Sequence, residues 1–506
     1  MIFVKSFDKK LKYYFNIVNN EQIKVDKKFK LLSRYIRHMK ISFVTAPFDM
    51  VKQAYGVKRE VSYGNWLPFG LTVLAGCCRQ AGHKPEIVDS PPLKYTNADV
   101  IAHLKKSQPD VVGLQAAMAT KEQTMQLLHE IKVNLDVPVF LGGWLASFKE
   151  SLLKQNPEID FVFVGEAEKA IVKTLNALEK GESFKNIKGV CYRDGERAIN
   201  NGPGEIVENL DELPPPAWDL FDLKNYRSLP LQTKRFPAVT YLSSRGCSYA
   251  RCTFCFHGGT AGPKYRRHSP ERVVSDIKEV VEKYGAKEVA FWDDIFIINE
   301  KWILEFCRLL KQEKVDVAWQ GYGHASFVTQ KMLNEAAKAG CWGIFYGFES
   351  GNQSILDNVQ KGQTLEKMSL AAKWTHEAGM DTRGSFIMAL PGETPEMAMK
   401  TAQWAADNKL TFVQFLTFFP EHGTKLYEDL VKENKISEKY KGRTTPHYVP
   451  SGYKNAEEVQ QTLKKMYRKF HYRPSFILKH LKRIKSLEDF KQYYEAFMYI
   501  SKIAFK

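Results

Sequence analysis

A chain of 506 residues, 44% apolar and 13% aromatic, is too long for one ordinary domain and rich enough to bury two or three cores. Its formal net charge of +17 sits at the two ends: residues 1–40 hold 11 Lys or Arg against 3 Asp or Glu, and residues 451–506 hold 13 against 5. A near-neutral body argues against a nucleic-acid groove, and no apolar run approaches the roughly 18–20 residues of a spanning helix. The first residues carry no signal-peptide core, so the expected compartment is the cytoplasm.

Residues 1–38 form a basic extension to which no chemistry is assigned. A first domain is expected over 39–205. Apolar runs at 40–46, 86–89, 110–115, 137–143 and 160–166 read as strands. Helical stretches near 98–107, 121–134, 147–155 and 167–179 separate them. This alternation predicts an α/β fold with a parallel, doubly wound sheet of flavodoxin-like type. Ligands bind such sheets at the carboxyl ends of the strands. That rule gathers Thr45, Gln115, Gly142, Gly143, Gly165 and Glu166 around one crevice, although each glycine also reads as a tight turn.

Residues 206–236, with Pro214-Pro215-Pro216, read as an interdomain linker. A second βα series is expected over 237–435, with strands at 238–242, 288–292, 315–320, 343–348, 381–389 and 411–417. A closed barrel of this kind has eight βα units, so six predict an open, partial (β/α) barrel. Residues 436–506 form a basic helical arm. In it, Phe490, Tyr493, Tyr494, Phe497 and Met498 recur at helical spacing. The stripe reads either as packing on the barrel or as a basic amphipathic helix on an anionic membrane, which would suit a lipid-like substrate.

The chemistry concentrates just past the strand at 238–242. Cys247, Cys252 and Cys255 fall within nine residues on a polar, glycine-flanked loop, while Cys77, Cys78, Cys191, Cys307 and Cys341 are scattered. Thiolates are ligands for iron–sulfur clusters, and three of them leave one iron of a cubane open. Structural zinc with His257 as a fourth ligand, or three buried small hydrophobes, are the other readings of the same residues. Polar residues stand where barrel chemistry places them, at strand ends: Asp293, Asp294, His324, Glu349, Arg383 and Ser385. Glu393-Thr394 reads as a helix cap. No residue is singled out as catalytic.

The cysteine loop resembles that of radical S-adenosylmethionine (SAM) enzymes, with four and two residues between cysteines where the family usually has three and two. Residues 40–226 resemble the cobalamin-binding domain that precedes many radical SAM domains. The shared features are Leu67-Pro68-Phe69-Gly70-Leu71, Ala81-Gly82-His83, Pro109-Asp110-Val111-Val112-Gly113, Leu141-Gly142-Gly143, Val164-Gly165-Glu166-Ala167-Glu168 and Leu213-Pro214-Pro215-Pro216-Ala217-Trp218-Asp219. The chain lacks the Asp-x-His-x-x-Gly motif that gives cobalt a lower histidine, and it has Trp144-Leu145 where the family often has Pro-His. The family includes the anaerobic magnesium-protoporphyrin ester cyclases and the cobalamin-dependent C- and P-methyltransferases.

The resemblance implies a [4Fe–4S] cluster on Cys247, Cys252 and Cys255, with SAM against Phe254, Asp293, Glu349, Arg383 and Ser385. It also implies base-off cobalamin in the crevice, a one-electron reductant such as flavodoxin or ferredoxin, and a small-molecule or lipid-like substrate. The implied reaction is methyl transfer to an unactivated carbon through a 5′-deoxyadenosyl radical. Ring formation or oxidation with the same cofactors is one alternative. A non-enzymatic corrinoid- or nucleic-acid-binding protein is another.

Overall fold

The computed structural model describes residues 38–49, 64–256, 262, 264–436 and 447–505. The N-terminal extension up to residue 37 and His257 lie outside the described residues. In the first domain, β1 (Lys40–Thr45), β2 (Lys84–Asp89), β3 (Val111–Gln115), β4 (Val139–Gly142) and β5 (Phe161–Phe163) pair in parallel in the order β2-β1-β3-β4-β5. That is the flavodoxin-like order, with the change of direction between β1 and β3. The strands are apolar because both faces are covered: Val44, Val112 and Leu141 pack on one side, Ile41, Phe43 and Phe140 on the other. Helices α1 (Phe69–Gln80), α2 (Asn97–Ser107), α3 (Lys121–Asn134), α4 (Lys149–Gln155) and α5 (Glu168–Lys180) make the crossovers.

An antiparallel hairpin, β6 (Val190–Asp194) and β7 (Arg197–Asn200), extends this sheet beyond β5. It was not expected. Its signal was the two-residue turn Gly195-Glu196, whose positive φ of 60° falls on the glycine.

The second domain is a parallel sheet in sequential order. Its strands are β8 (Ala238–Tyr241), β11 (Glu288–Phe291), β12 (Ala318–Gly323), β13 (Cys341–Glu349), β14 (Asp381–Met388) and β15 (Phe412–Thr417). A two-stranded ribbon, β9 (Ser244–Arg245) with β10 (Arg266–Arg267), brackets the cysteine loop. The outer helices are α6 (Pro270–Tyr284), α7 (Glu300–Gln312), α8 (Gln330–Lys338), α9 (Gln353–Asn358), α10 (Leu365–Glu377) and α11 (Pro395–Asp407). Five begin on a side-chain cap: Ser269, Asn299, Thr329, Thr364 and Thr394 each accept from the backbone N–H three residues on. These caps fix where each strand-end loop stops.

The sheet is open, with β8 and β15 as its edges. After α12 (Lys425–Lys432), the arm formed by α13 (Ala456–His471), α14 (Pro474–Leu481) and α15 (Leu487–Phe505) returns to the β15 side. The Tyr467 hydroxyl donates to the Phe415 carbonyl at 3.1 Å, and Arg483 pairs with Asp381 at 2.6 Å.

Residues 206–236 are packed rather than slack. Leu210, Leu213, Trp218 and Leu223 are buried in one core with Phe69 and Val73 of α1 and with Val273 and Ile277 of α6. Arg272 donates to the carbonyls of Asp211, Leu213 and Pro214 at 3.0, 2.6 and 3.0 Å. This strap therefore glues α1 to the barrel. A Cβ at Gly76 would stand 2.7 Å from the Pro215 carbonyl oxygen, whereas one at Gly70 would meet nothing within 4 Å. Urea denaturation is expected to show Gly76→Val less stable by about 1–3 kcal/mol, because backbone must move. Gly70→Ala is expected to match or exceed the parent by up to about 1 kcal/mol.

Candidate functional site

The cysteine loop leaves β9 through Gly246, whose φ of +77° only glycine adopts freely and whose Cβ would lie 2.3 Å from the Lys264 carbonyl oxygen. Three hydrogen bonds fasten it to the barrel: the Thr253 N–H to the Val359 carbonyl (3.1 Å), the Leu426 N–H to the Thr253 carbonyl (2.8 Å) and the Tyr249 hydroxyl to the Gln360 carbonyl (2.8 Å). Inside the loop the Ala250 N–H points at the Cys247 sulfur at 3.4 Å. Burial pushes the Cys252 thiol up to about 11; Lys361 pulls it down, and Glu349 and Cys247 push it further up. Such a sulfur becomes a thiolate only with strong positive charge beside it, which is what iron supplies. Among the described residues no three His, Cys, Asp or Glu side chains come close enough to share a single ion. Three cysteines on one loop suit a cubane, in which each thiolate takes its own iron and the fourth iron stays open.

The strand-end residues face the loop at two depths. A register shift between Gly347 and Glu349, with φ of +63° at Glu349, turns that carboxylate back into the site. It accepts from the buried Lys361 ammonium at 2.9 Å. Burial alone would lower Lys361, but Glu349 and the thiols of Cys252 and Cys255 outweigh it and raise it. Ser385 pairs with Gly347 across β13 and β14, at nearly the same level. Arg383, two residues deeper, donates to Gln320 at 2.7 Å and leaves its Nε buried without a partner. Asp293 is engaged by the loop itself, accepting from the Ser243 N–H (3.1 Å), the Ser243 hydroxyl (2.7 Å) and the Ser244 hydroxyl (2.5 Å). Phe254 packs beside Ile355, Leu390 and Phe418. Thr394 caps α11, and buried Glu393 holds the Ala389 N–H.

Between the domains lies a cavity of about 350 Å³. Gln115, Gly142, Gly143, Gly165 and Glu166 line it from the first sheet; Ser244, Arg245 and Gly246 line it from the start of the cysteine loop. Six of its twenty lining residues are glycine, and a Cβ at Gly142 would meet nothing within 4 Å. The open space beside Gly70 and Gly142 leaves room for a bulky ligand, and no histidine is among the lining residues described. Thr45 stands apart: its hydroxyl donates to Asp89 at 2.5 Å and accepts from the Ser90 N–H, pinning β1 to β2.

The cavity is closed on one side by a buried ionic network across the seam. Glu166 takes Arg266 and Arg245 (3.2 Å), and Glu168 takes Arg245 at 2.5 Å. Burial alone would raise the Glu166 carboxyl; Arg266, Arg245 and the Val207 N–H outweigh it and hold it below the ordinary carboxylate range. Trp144, from the loop after β4, meets Phe256 edge-on at 6.0 Å, just past Cys255. Lys361, Arg245, Arg266 and Trp144 were not singled out from the sequence as site residues. Only the Trp144-Leu145 departure gave a signal.

The B12 binding domain model matches residues 57–175, and the Radical SAM superfamily model matches residues 241–405. An uncharacterised methyltransferase of Pyrococcus horikoshii is 30% identical over 446 residues, covering 87% of this chain and 94% of that protein. The anaerobic magnesium-protoporphyrin IX monomethyl ester cyclase of Rubrivivax gelatinosus is 27% identical over 430 residues, covering 82% and 75%. The fold is similar to that of the cobalamin-dependent S-adenosylmethionine radical enzyme OxsB solved with aqua-cobalamin, with a TM-score of 0.72, 19% identity and coverage of 94% and 73%.

Two measurements follow from the seam. Glu166→Gln leaves two buried guanidiniums short of charge and is expected to cost about 3 kcal/mol at neutral pH in chemical denaturation. The folded Glu166 carboxyl is depressed, so its contribution is present above its ordinary value near 4.3 and lost as pH falls through the folded value. The gap between parent and variant should therefore narrow below about pH 4. Separately, Gly142→Leu fills the cavity without meeting backbone. It should leave stability within about 1 kcal/mol of the parent, and equilibrium dialysis should show cobalamin binding weakened at least tenfold.

Proposed function

The chain belongs to the cobalamin-binding radical SAM enzymes, and on that footing we propose that it transfers a methyl group to an unactivated carbon of a small or lipid-like molecule. Its cofactors are a [4Fe–4S] cluster, SAM and cobalamin. One observation carries the reading. The segment Ser244-Arg245-Gly246 both opens the cysteine loop and lines the glycine-faced cavity, so the two cofactor sites share a wall. When bound, the cluster supplies the electron that cleaves SAM, and cobalamin supplies a transferable methyl group.

The chain's own residues bind, orient and exclude water. Cys247, Cys252 and Cys255 hold the cluster, and the Ala250 N–H stabilises the Cys247 thiolate. We assign Glu349 and Ser385, at the level of the loop, to SAM, with Lys361 fixing the Glu349 carboxylate. Arg383, with its unpartnered Nε, is assigned to an anionic or carbonyl group of a ligand reaching that depth. Asp293 positions the loop through Ser243 and Ser244 rather than spending a free carboxylate on ligand. Gln115, Gly142, Gly143, Gly165 and Glu166 are assigned to cobalamin, held base-off because no histidine faces the cavity among the described residues. A flavodoxin- or ferredoxin-like protein would supply electrons, and peripheral contact with a membrane surface belongs to the same proposal.

Anaerobic reconstitution is expected to give one [4Fe–4S] cluster per chain, base-off cobalamin and reductive cleavage of SAM. With methyl-labelled SAM, label should appear in a product extracted from the source cells' metabolite pool. Replacing all three loop cysteines with Ala should abolish cluster and cleavage together. SAM cleavage that persists in that variant would overturn the cluster assignment. A product formed without label would overturn methyl transfer in favour of ring formation or oxidation.

A further inference from the structure

The last helix, α15, is two-sided. Its inner side holds the protein: Ala504 is buried, Ile500 and Ile503 pack on the barrel core, and Tyr493 lies against His480 at 5.6 Å. Its outer side packs only at its edge, where Phe497 and Phe505 meet Tyr472 with ring centroids 5.8 and 5.2 Å apart. Leu487, Phe490, Tyr494, Phe497, Met498 and Phe505 are all exposed, Leu487 at 85% and Phe505 at 60%. At 100° per residue these six fall within an arc of about 100°, a straight apolar stripe roughly 27 Å long. The preceding helix adds Ile477, Leu478 and Leu481, also exposed. Nine of the fourteen exposed large apolar side chains among the described residues thus lie between 477 and 505. A patch so concentrated marks an interaction surface.

The charge beside the stripe selects the occupant. Lys482, Lys485 and Lys491 are exposed around it. Arg483 is taken by Asp381, and Asp489 by the N–H groups of Lys485 and Ser486. Residues 451–506 hold 13 Lys or Arg against 5 Asp or Glu. A second copy docked face to face would bring these lysines against their own counterparts. An anionic bilayer would meet them with phosphates while taking the apolar stripe into its headgroup boundary, and no helix among the described residues is long and apolar enough to cross it. We propose that the outer face of α14 and α15 docks flat on an anionic lipid membrane, with Leu478, Leu481, Phe490, Phe497 and Phe505 inserted and Lys482, Lys485 and Lys491 on the headgroups. This names the surface and lipid class of the peripheral contact proposed above. It is independent of the cofactor chemistry.

The test is co-sedimentation of the full-length reconstituted protein with vesicles of phosphatidylcholine alone or mixed with phosphatidylglycerol, at low and high salt. Binding is expected to the mixed vesicles at low salt, and to fall with neutral lipid or high salt. Phe490→Ser/Phe497→Ser and, separately, Lys482→Glu/Lys485→Glu/Lys491→Glu should each lower partitioning at least tenfold while SAM cleavage in solution is retained. Retained cleavage with lost sedimentation separates failure of docking from failure of the proposed chemistry. Equal recovery with neutral and anionic vesicles, or none with either, would overturn the proposal. So would a lipid-free dimer in light scattering that the Phe490→Ser/Phe497→Ser variant loses, or a gain of lipid binding only when residues 1–37 are removed. Those last two outcomes would assign the stripe to a second copy or to the N-terminal extension.

Discussion

The site depends on a buried ionic contact between two domains. Arg245 and Arg266 flank the cysteine loop on the β9–β10 ribbon, and Glu166 and Glu168 leave the end of β5. Burying four charges costs several kcal/mol each unless every one is paired, and here each carboxylate meets a guanidinium and Glu166 also takes the Val207 N–H. The contact tolerates little displacement, since a partial opening would leave charge uncompensated in a low-dielectric seam. It therefore fixes the distance from the carboxyl ends of the first sheet to Cys247 more sharply than apolar packing alone would. Because Gly246 follows Arg245, the backbone that closes the cavity also begins the cluster loop.

The loop is arranged around a second buried charge. Lys361 sits on the segment that gives its carbonyls to Tyr249 and Thr253, so the hydrogen bonds that anchor the loop also bring an ammonium beneath it. Glu349 neutralises that ammonium, while the Cys252 and Cys255 thiols lie within its field. Loop, lysine and carboxylate form one unit. The left-handed turn at Glu349 costs about 1–3 kcal/mol and persists because Lys361 holds the side chain.

Much of this was legible from residue order. The βα alternation and the exit of three cysteines from a strand end follow from apolar periodicity and short spacing, which are local properties. The helix starts were legible for the same reason, since Ser269, Asn299, Thr329, Thr364 and Thr394 cap within three residues of themselves. The unread features join distant residues. Glu166 and Arg266 are 100 positions apart, and no periodicity connects them. Lys361 lies in an ordinary helix-to-helix connection until β13 ends beside it. Thr45 had the right address at a strand end, yet its hydroxyl is taken by Asp89. The hairpin at 190–200 was missed for a different reason: two short strands around a tight turn were outweighed by the helical rhythm before them.

The strap between the domains bears on how proteins of this build can be rearranged. Helix α1 belongs to the first domain by chain order, yet Phe69 and Val73 share a core with Trp218 and with Val273 of α6. Severing the chain within 206–236 would therefore strip one domain of its cover and leave the other with an apolar wound. A cobalamin domain grafted from a relative would have to bring its own α1 and strap, matched to the recipient's α6. Inheritance in such proteins should then follow the seam rather than the domain boundary: α1, the strap and α6 ought to change together, while the loops that face substrate change alone.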